Sequence, residues 1–156
     1  MRRMNAIPVL ALALGACVAG GGAPPPLTPL AQDAEQPMLA LFEHVLKDHF
    51  ATFGAGSPTT CAVLRSGQLS AEQERELMVR FVRLAPASRC RSEGDGWRDT
   101  ITEEPAQIVQ VYDFACRAPD QCTGWVAAPG SSAKRYAMRF DNGAWRFTAD
   151  PRTLAE

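Results

Sequence analysis

The strongest constraint on the fold lies near the carboxyl end of the chain, where two stretches of alternating apolar residues flank Asn142-Gly143. Asn followed by Gly is typical of a two-residue type I′ hairpin turn, because both residues tolerate a positive φ. Apolar side chains recur at every second position on both sides of this turn, at Tyr136, Met138, Phe140, Trp145 and Phe147. The segment therefore predicts an antiparallel hairpin with one apolar face, in which Phe140 lies opposite Trp145.

The same register makes a prediction about the other face of this hairpin. It sets Arg139 directly opposite Arg146, and two like charges in that position destabilise a sheet unless something neutralises them. One interpretation is that an acid of the same fold, such as Asp113 or Asp141, lies between the two guanidinium groups. The other is that the pair is open and binds a carboxylate or phosphate of a partner, for which arginine is better suited than lysine.

Two helices are predicted ahead of this hairpin. Pro37 suits the first position of a helix, and apolar residues recur at helical spacing from Met38 to Phe53. A second helix begins at Ser70, because Ser70 and Gln73 have the spacing of a capping box. Its apolar periodicity continues until Pro86, which we expect to end it.

The period of the apolar residues then changes from about 3.6 to about 2 after Gly96. Residues 108–114 are β-branched and aromatic, and residues 123–127 are a plausible partner strand across a turn at Pro119-Asp120. We therefore predict an α+β fold, with two N-terminal helices packed on one face of a C-terminal antiparallel sheet of about four strands. This order of elements resembles the cystatin-like and NTF2-like groups in topology, and the resemblance transfers no functional residue.

The first 17 residues have the features of an export signal. Arg2-Arg3 precedes an apolar run over residues 6–14, which is shorter than the roughly 20 residues that a membrane span requires. Residues 14–17, Leu-Gly-Ala-Cys, resemble the lipobox of bacterial lipoproteins. The resemblance implies cleavage before Cys17, attachment of lipid to its sulfur and acylation of the new amino terminus. The alternative is an ordinary signal peptide followed by a chance cysteine.

These features divide the chain into three parts. Residues 1–16 are a predicted signal peptide, residues 17–30 a lipidated tether rich in Gly and Pro, and residues 31–156 a single domain. We therefore expect an exported protein that a lipid holds to a membrane. By resemblance to lipoprotein sorting in Gram-negative bacteria, Val18 after the lipidated cysteine implies the periplasmic face of the outer membrane.

The cysteines other than Cys17 predict a disulfide framework. Four remain, an even number for an oxidising compartment, so two disulfide bonds are expected. We predict that one joins Cys116 to Cys122, which flank the hairpin turn. The other then joins Cys61 to Cys90, which bracket the second helix. Neither spacing is Cys-x-x-Cys, so a redox or zinc function has little support.

The charge balance and the motifs limit the functions that this chain can have. Without the signal peptide it has 16 − 2 = 14 basic and 17 acidic residues, a net charge near −3, which disfavours nucleic-acid binding. His44 and His49 are five residues apart and lie on different sides of a helix, unlike a helical metal pair. No cofactor motif or catalytic triad spacing is present, so neither a metal nor a cofactor is predicted.

Two functions fit this sequence. The first is a non-catalytic binding or accessory module, anchored in the bacterial envelope, whose partner is an unidentified envelope protein or small ligand. The second is a small-molecule binder or enzyme with a pocket between the first helix and the sheet. Its acid and base would then come from His49, Tyr112 or Asp113. The two differ in whether His49 and Tyr112 point into one concave apolar pocket.

Overall fold

The computed structural model describes residues 25–53 and 58–150 and has an α+β fold. The predicted signal peptide, Cys17 and the first part of the tether lie outside the described residues. The helices of the described chain are α1 (Pro37–Thr52) and α2 (Ala71–Arg80). The strands, in chain order, are β1 (Thr59–Leu64), β2 (Leu84–Ala85), β3 (Cys90–Glu93), β4 (Gly96–Asp99), β5 (Pro105–Ala118), β6 (Gln121–Ala127), β7 (Lys134–Asp141) and β8 (Ala144–Ala149).

The eight described strands form one mixed sheet in the order β2-β1-β5-β6-β7-β8, and the β3-β4 hairpin joins it through β4 and β5. β1 runs parallel to both of its neighbours, whereas the other pairs are antiparallel. The prediction of an α+β fold with helices in the amino-terminal half is confirmed. The prediction of about four strands, all antiparallel, is wrong, because the sheet is larger and mixed.

The sequence pattern missed β1 because this strand is covered on both faces. Thr60 and Ala62 are buried toward the helices, and Cys61 is buried in a smaller cluster on the opposite face with Ala85 and Cys90. A strand buried on both faces shows no alternation of apolar and polar residues. The strands β3 and β4 were missed for a different reason, since most of their residues are polar and form no apolar alternation.

Helix α2 begins as predicted and ends earlier than predicted. The Ser70 hydroxyl accepts the N–H of Gln73 at 3.2 Å, and the Gln73 side chain accepts the N–H of Ser70 at 2.9 Å, so the capping box is complete. The helix ends at Arg80 rather than near Pro86. Leu84, whose spacing fits the helix, instead pairs with Thr60 in the parallel β1-β2 ladder, so tertiary pairing prevails over helical periodicity.

The terminal hairpin has the predicted register. Phe140 lies opposite Trp145, and Arg139 lies opposite Arg146. Asn142 and Gly143 form the turn with φ angles of 51° and 75°, as a type I′ turn requires. The apolar side of the hairpin therefore packs against the core beneath α1.

Strand β5 contains a bulge that the sequence did not predict. Asp113 has a φ of 48°, and the register with β6 shifts between Tyr112 and Ala115. As a result Phe114 packs against the main core. A Cβ built on Gly124 would lie 2.9 Å from Cδ2 of Phe114, so glycine is required where β6 passes this ring.

The segment before α1 is attached to the helices. The Leu30 side chain is only 2% exposed, and its N–H donates to the Glu43 carboxylate at 2.9 Å. The Arg80 guanidinium donates to the carbonyl of Thr28 at 2.6 Å and contacts Glu43 at 3.4 Å. The folded domain therefore begins before residue 31, the boundary expected from composition.

Candidate functional site

The face of the sheet opposite α1 and α2 carries a row of polar side chains at its β8 end. Gln121 on β6 lies opposite Arg139 on β7, which lies opposite Arg146 on β8. Both arginines are exposed. Because side chains alternate along a strand, the buried neighbours Met138 and Trp145 face the core while these arginines face outward.

A shallow groove of about 450 Å³ lies over this row. Among the side chains that line it are three arginines, one acid, three smaller polar residues and an alanine: Arg117, Arg139, Arg146, Asp141, Gln121, Thr123, Thr148 and Ala137. We call this set the arginine groove. It concentrates positive charge in a chain whose overall net charge is negative.

Among residues 25–53 and 58–150, the guanidinium groups of this groove have no acidic partner. Within the described chain, no carboxylate oxygen lies within 4.0 Å of a guanidinium nitrogen of Arg139 or Arg146. Asp141 lines the groove, and its carboxylate accepts a hydrogen bond from the side chain of Asn142 at 3.2 Å. Asp113 lies on the β5 bulge and not in the groove. The expected neutralising acid is therefore not found at this position.

The disulfide bonds match the predicted pairing, and one of them supports the groove. Cys116 is bonded to Cys122, and Cys61 to Cys90. The first bond joins β5 to β6 beside Arg117, which lines the groove. The two bonds fit an oxidising compartment of an exported protein.

Tyr112 lies farther along the same outward face and belongs to an aromatic pair. Its ring stacks on Trp125 with centroids 6.2 Å apart, and the Arg65 guanidinium lies 5.7 Å from its centroid. The neighbouring residue Val111 is fully buried toward the helices. Tyr112 therefore points away from α1 and does not share a pocket with His49, as the alternative of a small-molecule binder or enzyme would require.

A second, smaller concavity of about 220 Å³ lies where the end of α1 meets the sheet. We call it the His49 cleft. His49, Asp48, Lys134 and Tyr136 are among the residues that line it, whereas Asp113 is not. The candidate acid and base groups His49, Tyr112 and Asp113 are thus in three different places, and the structure brings no two of them together.

His49 is held as a neutral ring. Its Nε2 lies 3.2 Å from the Thr60 hydroxyl, which itself donates to the carbonyl of Pro58 at 3.3 Å. Because a hydroxyl has one proton to donate, Nε2 of His49 is assigned as the donor, and Nδ1 is left as the acceptor.

Burial lowers the pKa of His49, and the charge of Arg83 lowers it further. Burial also raises the pKa of Tyr136, with a smaller contribution from Asp48.

Arg83 binds the carboxyl-terminal end of α1. Its guanidinium donates to the carbonyls of Phe50 and Phe53 at 3.0 and 3.1 Å, and lies 4.8 Å from the centroid of the Phe50 ring. The last carbonyls of a helix have no partner within the helix. Arg83 therefore caps α1, and its effect on His49 follows from this structural position.

Neither a metal cluster nor a membrane-spanning helix is found in the described chain. Over residues 25–53 and 58–150, no three His, Cys, Asp or Glu side chains are grouped so as to hold a metal ion. In the same ranges no helix has the length and apolar character needed to cross a bilayer.

Comparison with protein-family models, with curated proteins and with solved structures found no match to this chain. Function must therefore be inferred from the sequence and from the described side chains. Sequence reasoning identified Arg139 and Arg146 and missed Arg117. The bulge at Asp113 interrupts the alternation of side chains along β5. The side on which Arg117 lies therefore cannot be read from a period of two in the sequence.

Proposed function

We propose that the protein is a lipoprotein of the bacterial envelope, anchored through Cys17 at the periplasmic face of the outer membrane, and that it acts as a non-catalytic binding module. The lipobox-like sequence of residues 14–17 supports the anchor. The two disulfide bonds are in keeping with export. The observation that carries the binding function is the facing pair Arg139 and Arg146, which has no acid partner among the described residues.

An uncompensated pair of this kind favours a ligand. Two guanidinium groups held opposite each other on neighbouring strands repel, and the fold gains nothing from them. An anion placed between them removes that repulsion and accepts charge-assisted hydrogen bonds from both. The arginine groove is therefore the surface through which we expect this module to bind an anionic group of another envelope component.

Crosslinking in cells tests this function. The anchored protein would be crosslinked and the trapped component identified by mass spectrometry, with Arg139→Ala and Arg146→Ala as the test variants. Arg135→Ala is the matched control, since it removes the same charge from the same face of β7 outside the groove. We expect both test variants to lose the adduct and the control to keep it. An adduct equally strong in all three would contradict the proposed function.

Lipid attachment is tested separately. Metabolic labelling with a fatty-acid analogue should mark the wild-type protein and leave Cys17→Ser unlabelled, because the Cys17 thiol is the proposed acceptor. The variant should also be released in soluble form or remain uncleaved. Label that persists on Cys17→Ser would disprove lipid attachment at Cys17. The binding function of the arginine groove would still be tested by crosslinking.

The His49 cleft supports a second candidate function, the binding of a small molecule. The observation in its favour is that a neutral histidine and a tyrosine line one concavity between α1 and the sheet. Its volume is below that of most ligand pockets, which favours a ligand of few atoms. A thermal-shift screen of small metabolites would test it. A hit that survives in His49→Ala and Tyr136→Phe would not be bound in the cleft.

A further inference from the structure

The charge of the arginine groove indicates the charge of its ligand. Arg117, Arg139 and Arg146 contribute three positive charges and Asp141 one negative charge, a sum of 3 − 1 = +2. A carboxylate or a phosphate diester carries a single negative charge and would leave the groove positive. A phosphate monoester carries about −1.5 to −2 near neutral pH and matches it.

The remaining polar side chains of the groove suit the same group. Thr123 and Thr148 supply hydroxyls and Gln121 an amide, so each can donate a hydrogen bond to an anion. Ala137 lies between the two threonines in the ladder, and its methyl group leaves room above the sheet. The donors of the groove come from several strands. A tetrahedral phosphate, with three acceptor oxygens, can accept from more of them than a planar carboxylate can.

The position of the groove argues against the lipids of the anchoring membrane as its ligand. The amino-terminal segment reaches the domain at Thr28 and Leu30, which are bound to Arg80 and Glu43 of the helices. These helices cover the opposite face of the sheet. The arginine groove therefore opens away from the side on which the proposed anchor joins the domain.

We propose that the arginine groove binds a phosphate monoester dianion, carried by an envelope component other than the leaflet in which the protein is anchored. This inference rests on the proposed function, because it names the ligand class of the same surface. Arg139 and Arg146 bind the phosphate from two strands, and Arg117 closes the third side. Asp141 opposes binding through its charge.

Titration of the mature lipidated protein in a neutral detergent tests the ligand class. The probes are methyl phosphate, dimethyl phosphate and succinate, and their binding is measured by isothermal titration calorimetry at pH 7.5. We expect methyl phosphate to bind at least about tenfold more tightly than dimethyl phosphate, which offers a smaller charge and fewer terminal oxygens. Succinate carries a similar total charge on two separate carboxylates and should bind more weakly than methyl phosphate.

Variants that lower the affinity and one that raises it separate an effect on binding from an effect on folding. Arg139→Ala and Arg146→Ala should each lower the affinity for methyl phosphate by about tenfold or more. Arg135→Ala should change the affinity by less than about twofold, since it lies outside the groove. Asp141→Asn should strengthen binding, an effect that a loss of folding cannot produce. Each variant is first shown to keep the melting temperature of a folded protein.

The source of the phosphate is tested with the lipidated protein reconstituted, one copy per disc and at high dilution, in lipid nanodiscs that contain phosphatidic acid, a lipid with a monoester headgroup. We expect it not to compete with methyl phosphate for the groove, and competition would overturn the assigned source. Equal affinity for the monoester and the diester, tighter binding of succinate, or no saturation up to about 20 mM would overturn the ligand class. If the ligand class is overturned but crosslinking in cells still depends on Arg139, the proposed function is retained and the groove binds a ligand of another class.

Discussion

Two arginine sites of this molecule differ in whether the fold supplies their counter-ion. Arg89 binds the fully buried carboxylate of Asp99, with Nη2 at 2.8 Å and Nε at 2.9 Å from its oxygens. The Thr59 hydroxyl and the N–H of Ile101 donate to the same carboxylate. No acid in the part of the chain that the structure describes pairs in this way with Arg139 or Arg146. Arg89 therefore stabilises the fold through a buried acid, whereas the facing pair in the groove contributes no such ion pair.

Asp99→Ala should lower the stability of the domain more than any substitution in the arginine groove. It removes the acid around which the turn after β4 is organised and leaves the Arg89 guanidinium without its partner. Urea unfolding would show the lowest midpoint for this variant. Asp95→Ala is the control, because Asp95 is an exposed acid in the same hairpin. Equal midpoints for both variants would show that the Asp99 site contributes nothing special.

The same site should also make stability depend on pH. Arg89 holds the pKa of the Asp99 carboxyl far below its usual range, and the hydrogen bonds from Thr59 and from two N–H groups lower it further against the opposing effect of burial. A depressed pKa in the folded state adds stability above the unfolded value, about 3.9, which is lost as the pH falls below it. Between pH 7 and about 3, the melting temperature should therefore fall more for wild type than for Asp99→Asn.

Removal of the disulfide bond beside the groove should have an intermediate effect. Replacing both Cys116 and Cys122 by serine opens a short loop and should lower the free energy of unfolding by about 2 kcal/mol. Replacing Cys61 and Cys90 opens a longer loop, since they are 29 residues apart rather than 6, and should lower the free energy of unfolding by about 3.6 kcal/mol. If loss of the Cys116–Cys122 bond lowers the free energy of unfolding more than loss of the Cys61–Cys90 bond, restriction of the unfolded chain does not account for its full effect.

The smallest effect on stability is expected in the groove itself. Arg139→Ala or Arg146→Ala should leave the free energy of unfolding unchanged or raise it by less than about 1 kcal/mol, because each removes a repulsion and no ion pair. Differential scanning calorimetry at low salt is the most sensitive measurement, since salt screens the repulsion. A loss of stability larger than that in Arg135→Ala would show that an internal acid does neutralise the pair, and the contrast with Arg89 would disappear.

Local signals predicted what is local in this fold. The Asn142-Gly143 turn fixed the hairpin register and so the position of Arg139, and the Ser70 capping box placed the start of α2. Both disulfide bonds followed from the short spacing of Cys116 and Cys122 across a turn, which left Cys61 and Cys90 as the other pair. In each case the residues that determine the structure are close in sequence.

The parts that could not be predicted depend on contacts between distant residues. Parallel pairing of β1 with β5 joins segments more than forty residues apart, such as Thr60 and Gln107, and has no turn signal. The face on which Tyr112 lies depends on a register set by β6, and the side of Arg117 depends on the bulge at Asp113. The arginine groove was therefore half predicted, from its hairpin, and the other half is supplied by β5 and β6.

The attachment of the amino-terminal segment also determines how the domain responds to mechanical force. A ligand held in the arginine groove and a lipid held in the membrane would pull on opposite faces of the sheet. The load would enter at Thr28 and Leu30 and pass through the Arg80 and Glu43 contacts into the helices, and from them through the apolar core to the sheet. The Trp145 indole also donates to the carbonyl of Asp33 at 2.8 Å, so part of the load would reach β8 directly. With the proposed anchor and ligand in place, tension between them would therefore pass through both the helices and the edge strand of the sheet.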